Sequence, residues 1–156
     1  MEYRLRPATE LDRSFLFDLY CATMRNYIEK TWGWDDTWQR DDFDKRFREH
    51  GAFIIETGSH SAGALWLESR ADSLYISNLQ ILPALQGRGI GTTVIEEVIR
   101  RAGALGLPVA LVVLPVNTGA QRLYDRLGFK VVAIEELFIH MRYDPRTPAA
   151  GFIDSD

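Results

Sequence analysis

The sequence predicts an α/β protein with a central mixed sheet flanked by helices, in the order β-α-α-β-β-β-α-β-α-β-β. Three observations support this fold class. Short apolar or alternating runs indicate strands, apolar residues recurring every three to four positions indicate helices, and a glycine-rich turn joins a strand to a helix. A chain of 156 residues fits one domain. We assign that domain to residues 1–143 and a short C-terminal tail to residues 144–156.

The first half of the chain predicts a strand, two helices and a three-stranded meander. The first helix starts near Thr9, and its periodicity assigns Phe15, Leu19 and Ala22 to the buried stripe. Short turn-like connections separate the three later strands, so we expect antiparallel pairing. The predicted elements are strand 3–6, helix from residue 9, helix 37–49, and strands 52–57, 63–70 and 73–82.

The second half alternates helices with strands. Val94, Val98 and Ala102 fall on one apolar face of a helix that follows the glycine turn. A continuous apolar run, Val109–Leu114, is typical of a strand buried on both faces. A short helix then ends with Gly128 as its C-cap. Strands over 129–134 and 137–143 complete the sheet.

Composition and charge narrow the functional classes. A hydrophobic fraction of 46% and a charged fraction of 26% are ordinary for a soluble globular protein. The formal net charge of −4 argues against nucleic-acid binding. Cys21 is the single cysteine, and neither a signal peptide nor a membrane-spanning apolar run is evident, so we expect a cytoplasmic protein without membrane partners. The histidines are scattered, and we expect no metal.

The segment from Gln86 to Gly91 has the composition of a phosphate-binding turn. Backbone N–H groups at a helix N-terminus attract anions, and glycine permits their close approach. A Walker loop is excluded because no lysine follows Gly91, and a dinucleotide fingerprint is excluded because its sixth position is Thr92 or Val94. Two alternatives stay open: a pyrophosphate turn of the form Gln/Arg-x-x-Gly-x-Gly/Ala, and a plain strand-to-helix turn.

A second motif runs from Asn117 to Phe129 and matches the pattern N-x-x-A-x-x-L-Y-x-x-x-G-F at every defined position. The two motifs, in this order and on the predicted elements, resemble those of the GNAT superfamily of N-acetyltransferases. The resemblance covers the element order from Tyr3 to Tyr143. It implies the GNAT fold and acetyl-CoA as the cosubstrate, with no metal.

The resemblance also assigns roles to individual residues. Tyr124 would lie near the cofactor sulfur and donate a hydrogen bond or proton to the leaving thiolate, and packing against Phe129 is the structural alternative. With reference pKa values of about 10 for tyrosine and about 8.5 for a thiol, full proton transfer is uphill by roughly 2 kcal/mol. The implied cofactor-binding residues are Leu79, Gln80 and Ile81 on the pantetheine arm, Gln86, Gly87, Arg88, Gly89, Ile90, Gly91 and Thr92 on the pyrophosphate, and Asn117 and Tyr124.

No obvious general base is present. Some relatives that acetylate protein N-termini place a glutamate five residues before the motif asparagine, where this chain has Val112. Glu68, on the strand before the one that leads to the glycine turn, is the alternative base. Its structural alternative is a solvent-facing strand residue.

The segment between the first two helices is the expected acceptor region, because in relatives this segment overhangs the acceptor pocket. Trp34 and Asp35 are our candidate acceptor-binding residues, since aromatic faces beside acids suit a cationic amine. The structural alternative is that the tryptophans hold the helices together while the acids cap the second helix.

These observations predict an acetyl-CoA-dependent N-acetyltransferase that acts on a primary amine, preferably a small cationic one, by direct attack in a ternary complex. A homodimer stays open. The alternatives are a non-catalytic acyl-CoA-binding sensor or regulatory module, and an interaction domain that shares only the fold.

Overall fold

A computed structural model describes residues 2–145 of the chain. The expected tail lies outside the described residues beyond Pro145. The predicted order of elements is confirmed. The elements are β1 (Arg4–Pro7), α1 (Arg13–Thr31), α2 (Asp36–Glu49), β2 (Phe53–Thr57), β3 (His60–Ser69), β4 (Leu74–Ile81), α3 (Ile90–Leu105), β5 (Val109–Val113), α4 (Thr118–Arg126), β6 (Lys130–Glu135) and β7 (Phe138–Tyr143), with short 3-10 turns at Glu10–Asp12 and Pro83–Leu85.

The strands form a seven-stranded sheet in the order β1-β2-β3-β4-β5-β7-β6. Strand pairs β1–β2, β2–β3, β5–β7 and β6–β7 are antiparallel. The Leu74 N–H donates to the carbonyl of Pro108, so β4 and β5 begin at the same end and run parallel. A parallel pair needs a crossover connection, which α3 provides. The sheet is therefore mixed, as the sequence predicts.

Backbone contacts divide the chain into two compact units. The first unit comprises the residues up to Glu68 together with Ile76–Gly91. The second unit comprises Ser69–Tyr75 together with the residues from Thr92 onward.

The core of the first unit forms where α1 and α2 cover the strands. The Phe43 ring of α2 lies 5.3 Å from the Phe17 ring and 5.8 Å from the Trp66 ring, in edge-to-face geometry with both. Leu19 is buried as predicted, but the prediction for Ala22 is wrong because that residue is exposed. Phe17 lies in the core instead, because α1 turns this residue toward the Phe43 ring of α2. A helical repeat alone does not specify that direction.

The core of the second unit confirms the apolar face of α3. Val94, Val98 and Ala102 are at most 1% exposed, and Phe129 is fully buried. Burying each large apolar side chain contributes about 1.5–3 kcal/mol. In β5 the residues of one face are buried and those of the other are partly buried, so only one face of this strand is fully covered.

Candidate active site

The glycine turn lies between the 3-10 turn at Pro83–Leu85 and the start of α3. The Gln86 side-chain amide donates to the carbonyl of Ile81 at 2.9 Å and ties the turn to the end of β4. Gly87 and Gly89 have φ values of 79° and 83°, which side-chain-bearing residues rarely adopt. This backbone requirement explains both glycines. The turn residues before Ile90 are exposed, so the N-terminus of α3 is accessible to an anion.

Strand β4 approaches β3 closely beside this turn. A Cβ atom at Gly63 would lie 2.1 Å from the Gln80 carbonyl oxygen, so only glycine fits there. The Leu82 N–H donates to the Ala62 carbonyl at 2.9 Å, which fixes the end of the strand. Gly63 therefore lets the backbone of residues 79–81 lie close to β3. The sequence predicts that this backbone contacts the pantetheine arm.

Asn117 is the N-cap of α4. Its Oδ1 accepts a hydrogen bond from the Ala120 N–H at 3.1 Å. The preceding loop is fastened by the Gln121 amide, which donates to the Pro115 carbonyl at 2.9 Å. Capping occupies Oδ1 of Asn117 and leaves its Nδ2 group as the available donor.

Hydrogen bonds at the C-terminal end of α4 fix the position of Tyr124. The Phe129 N–H donates to the Tyr124 carbonyl, and the Gly128 N–H donates to the Asp125 carbonyl, as in a Schellman motif. Gly128, with φ at 102°, follows the C-cap Leu127. The Tyr124 and Phe129 rings pack edge to face at 5.4 Å. The structural alternative from the sequence is therefore present, and this packing also fixes the direction of the Tyr124 ring.

The phenol of Tyr124 is buried away from solvent. Burial raises the pKa of its phenol to about 12. The hydroxyl makes no hydrogen bond to another described residue, so its proton is not committed to a protein acceptor. A neutral buried phenol of this kind can donate a hydrogen bond but retains its proton strongly.

The base candidate Glu68 lies on β3. Its side chain is 18% exposed, and its Oε2 atom lies 3.8 Å from Nε2 of His50. Val112 occupies the position that bears glutamate in some relatives, and it pairs across the sheet with His140. The Nε2 atom of His140 lies 2.7 Å from Oε1 of Glu135. The sequence does not indicate His140 as a site residue, because only the pairing of β5 with β7 brings it opposite Val112.

The predicted acceptor residues already have partners within the chain. The Asp35 carboxylate accepts from the Trp38 N–H at 3.0 Å and caps α2. The Trp34 ring lies 5.8 Å from the Tyr20 ring. The Arg25 guanidinium carbon lies 5.0 Å from the centroid of the Trp34 ring. These contacts are the structural alternative foreseen from the sequence. Acceptor binding by the two residues stays a prediction.

A small cavity in the first unit was not anticipated from the sequence. Its aromatic walls are Tyr20, Phe43 and Trp66, and Gln80 also lines it. Its volume is about 20 Å³. We call it the Gln80 cavity. Gln80 is buried on a strand that also carries Ser77 and Asn78, so no local pattern in the sequence indicates the cavity.

Two further searches covered the described part of the chain. Within residues 2–145, no helix has the length and apolar character needed to cross a bilayer. In the same residues, no group of three or more histidine, cysteine, aspartate or glutamate side chains is arranged to hold a metal ion.

Comparisons with known proteins agree with the fold. The profile of the acetyltransferase (GNAT) family matches residues 14–129, which is more than half of the chain. The chain therefore belongs to the GNAT acetyltransferase family, and the predicted resemblance is confirmed.

One curated relative and two solved structures illustrate the likeness. An uncharacterized N-acetyltransferase of Methanocaldococcus jannaschii is 27% identical over 155 residues, covering 89% of this chain and 66% of that protein. The chain thus spans less than two thirds of the length of this relative.

The solved structures show the likeness of the fold. The PaiA N-acetyltransferase of Thermoplasma acidophilum, in complex with coenzyme A, has a TM-score of 0.76 at 18% identity over 92% of this chain and 99% of that one. The ribosomal-protein-S18-alanine N-acetyltransferase of Escherichia coli has a TM-score of 0.72 at 16% identity over 98% of this chain and 100% of that one.

Proposed function

We propose that this protein transfers the acetyl group of acetyl-CoA to a primary amine of a small cationic molecule by direct attack in a ternary complex. The observation that carries the proposal is Tyr124, a neutral buried phenol with an uncommitted proton, in the motif that follows the glycine turn. Family membership and the coenzyme A complex of PaiA support the choice of cosubstrate.

The cofactor assignment follows the sequence prediction. Residues 86–92 would hold the pyrophosphate through backbone N–H groups at the start of α3, and Arg88 is exposed beside them. The backbone of residues 79–81 and the Nδ2 group of Asn117 would bind the pantetheine arm. The exposed, glycine-containing turn and the strand fixed by Gly63 fit these roles.

In the transfer step, the amine lone pair attacks the thioester carbonyl carbon. A C–N bond forms, the C–S bond breaks, the electron pair of the broken bond passes to sulfur, and the amine loses a proton. Tyr124 would stabilise the forming thiolate by donating a hydrogen bond. With its pKa near 12 against about 8.5 for a thiol, complete proton transfer to sulfur is uphill by about 5 kcal/mol.

Deprotonation of the amine needs a separate group. An alkylammonium of pKa about 10.4 requires roughly 4.6 kcal/mol for deprotonation at pH 7, which a general base offsets. Glu68 stays our candidate, and the structure adds His140, which faces the position that bears glutamate in some relatives. Comparing Glu68→Gln with His140→Gln by the pH dependence of kcat/KM decides between them, because loss of the true base raises the pH at which activity appears.

The acceptor is more consistent with a small molecule than with a protein N-terminus. Val112 occupies the position at which some protein N-terminal acetyltransferases carry glutamate. The acidic net charge of −4 and the aromatic side chains between α1 and α2 favour a compact cation. A cytoplasmic location belongs to the same proposal, supported by the single Cys21.

A coenzyme A release assay with a panel of primary amines tests the proposal. We expect turnover with at least one small cationic amine and none with the matching alcohols. Binding of acetyl-CoA without turnover on any amine would instead support the acyl-CoA-binding sensor. The absence of acetyl-CoA binding would leave only the interaction domain.

A further inference from the structure

Strand β6 forms one edge of the sheet and is exposed along its whole length. It stands last in the strand order, and every residue of Lys130–Glu135 is exposed. Within the described residues, β7 is its only neighbour in the sheet. An edge strand presents outward N–H and C=O groups that have no partner in the sheet, so it can pair with another chain.

The opposite edge of the sheet is protected in ways that β6 is not. Strand β1 has four residues and ends in Pro7, and its Arg4 and Arg6 side chains bind the Glu56 carboxylate at 2.6 and 2.9 Å. Short length, proline and charge all discourage association through an edge strand. In contrast, four of the six residues of β6 are apolar and none is proline, so β6 is the edge that suits another chain.

The apolar residues of β6 and of its hairpin with β7 form an exposed patch. We call it the β6 patch, and its members are Val131, Val132, Ile134, Leu137 and Phe138. Ile134 is 74% exposed, whereas Met141, which the register places opposite Val131, is 3% exposed. Directly paired residues share a sheet face, so the patch continues a buried face of β7 beyond its covered part. Contiguous exposed apolar surface of this kind marks interaction sites.

The charges at the two ends of β6 indicate the partner. Lys130 begins the strand and Glu135 ends it. Oε1 of Glu135 lies 2.7 Å from Nε2 of His140, yet the Glu135 side chain is 69% exposed, so its carboxylate stays accessible. If a second copy of β6 lies antiparallel about a two-fold axis, Lys130 of each copy faces Glu135 of the other. Opposite charges then pair at both ends, whereas a parallel alignment would bring like charges together.

We infer that the β6 patch is the contact surface for a second copy of this chain, with the two β6 strands antiparallel. The strand carries a bulge between Val131 and Ala133, which interrupts regular main-chain pairing, so side chains supply most of the contact. One strand and its hairpin form a smaller surface than the standard interface of about 800 Å² per partner. The dimer is therefore reversible, with a dissociation constant on the order of micromolar. This inference does not depend on acetyl transfer.

Sedimentation equilibrium of the purified full chain over a concentration series tests for the dimer. Ile134→Lys brings a charge into the contact from both copies and should weaken the dimer by about a hundredfold. Leu105→Lys is the matched control, because Leu105 is an apolar residue of α3 that is 64% exposed and lies outside the β6 patch. A wild type that is monomeric at every concentration overturns the inference, and so does equal weakening, or none, in the two variants.

Charge reversal tests the antiparallel alignment. Lys130→Glu and Glu135→Lys each place like charges opposite each other at both ends, and each alone should weaken the dimer by about tenfold. An equimolar mixture of the two variants restores opposite charges between unlike copies, so mixing should recover the dimer. A parallel alignment or a contact elsewhere predicts no weakening by either substitution. No weakening, or no recovery on mixing, overturns the inference.

Hydrogen exchange at the amides of β6 identifies any other occupant of the strand. For the dimer, exchange at residues 130–135 should slow as the protein concentration rises. A monomer in which these amides exchange slowly would assign the strand to residues of the same chain beyond Pro145. A monomer in which they exchange rapidly would leave the strand to a protein of different sequence. Either monomeric result overturns the inference.

Discussion

At the scale of single residues, Tyr124 shows how packing prepares a functional group. The Schellman contacts fix the helix end, and Phe129 holds the ring edge to face. Burial then keeps the phenol neutral through the whole physiological range, since its pKa is about 12. A residue positioned in this way is a stable hydrogen-bond donor rather than an acid that exchanges protons rapidly.

Replacement of Tyr124 by phenylalanine tests this role. We expect kcat to fall about 10²-fold, the lower end of the range for general acid catalysis, while the dissociation constant of acetyl-CoA changes little. The ring and its contact with Phe129 are retained, so melting should be nearly unchanged near neutral pH. Tyr143→Phe is the control, because the Tyr143 ring also packs against Phe129. An unchanged kcat in Tyr124→Phe would remove the donor role.

Alkaline pH provides a second test of the buried phenol. The pKa of Tyr124 is raised from about 10 in the unfolded chain to about 12 in the folded protein. The folded state therefore binds the proton more tightly, and this contribution is complete below pH 10 and is lost as the pH rises to 12. A rise of the pKa from about 10 to about 12 corresponds to about 3 kcal/mol. Urea titrations across this pH range should show a smaller loss of stability in Tyr124→Phe than in the wild type, and equal losses would contradict the assigned burial.

At the scale of elements, the approach of β3 to β4 depends on one glycine. Gly63→Ala would place Cβ 2.1 Å from the Gln80 carbonyl oxygen, so the strand must shift. We expect a loss of about 1–3 kcal/mol in the free energy of unfolding, as for other overpacked sites, together with weaker acetyl-CoA binding.

Gly103→Ala is the matched control for this substitution. Gly103 lies within α3, and an added Cβ there would meet only the Pro145 side chain at 3.7 Å. Alanine should stabilise this helix by roughly 0.5–1 kcal/mol. Equal chemical denaturation midpoints for the two variants would show that the approach of β3 to β4 is not limiting.

Asp35 lets the structural and acceptor roles be separated at the start of α2. Asp35→Ala removes the bond to the Trp38 N–H and should lower stability by about 1 kcal/mol. Asp35→Asn keeps the cap and removes only the charge. A raised KM for the amine in Asp35→Asn, at unchanged melting temperature, would support acceptor binding. An unchanged KM would leave helix capping as the role of the residue.

The element order follows from local patterns, and the glycine turn follows from backbone chemistry, so both could be predicted from the sequence. Ala22 and the Gln80 cavity could not. The exposed side of α1 depends on where α2 places Phe43, and the cavity combines residues 20, 43, 66 and 80, which pairing and packing bring together. Similarly, His140 faces Val112 only through the register of β5 and β7. Contacts between residues distant in sequence determine these features, and no local pattern encodes them.

At the scale of the whole molecule, the proposed cosubstrate should stabilise the fold by mass action. A ligand at a hundred times its dissociation constant, bound only by the folded state, adds about 2.7 kcal/mol. For a chain of this size that raises the melting temperature by roughly 5–10 °C. The measurement is thermal unfolding with and without acetyl-CoA, which requires no knowledge of the acceptor.

A pair of variants assigns that stabilisation to the glycine turn. Gly91→Trp fills the turn, and its Cβ makes only an ordinary contact, 3.7 Å from Cδ2 of Leu79. Ala104→Trp adds the same side chain at an exposed position of α3. We expect acetyl-CoA to raise the melting temperature of the wild type and of Ala104→Trp but not of Gly91→Trp. Because the interaction-domain alternative predicts no shift in any of the three, and binding elsewhere predicts equal shifts in all three, the pattern across them discriminates among a cofactor cradle, a different site and no site.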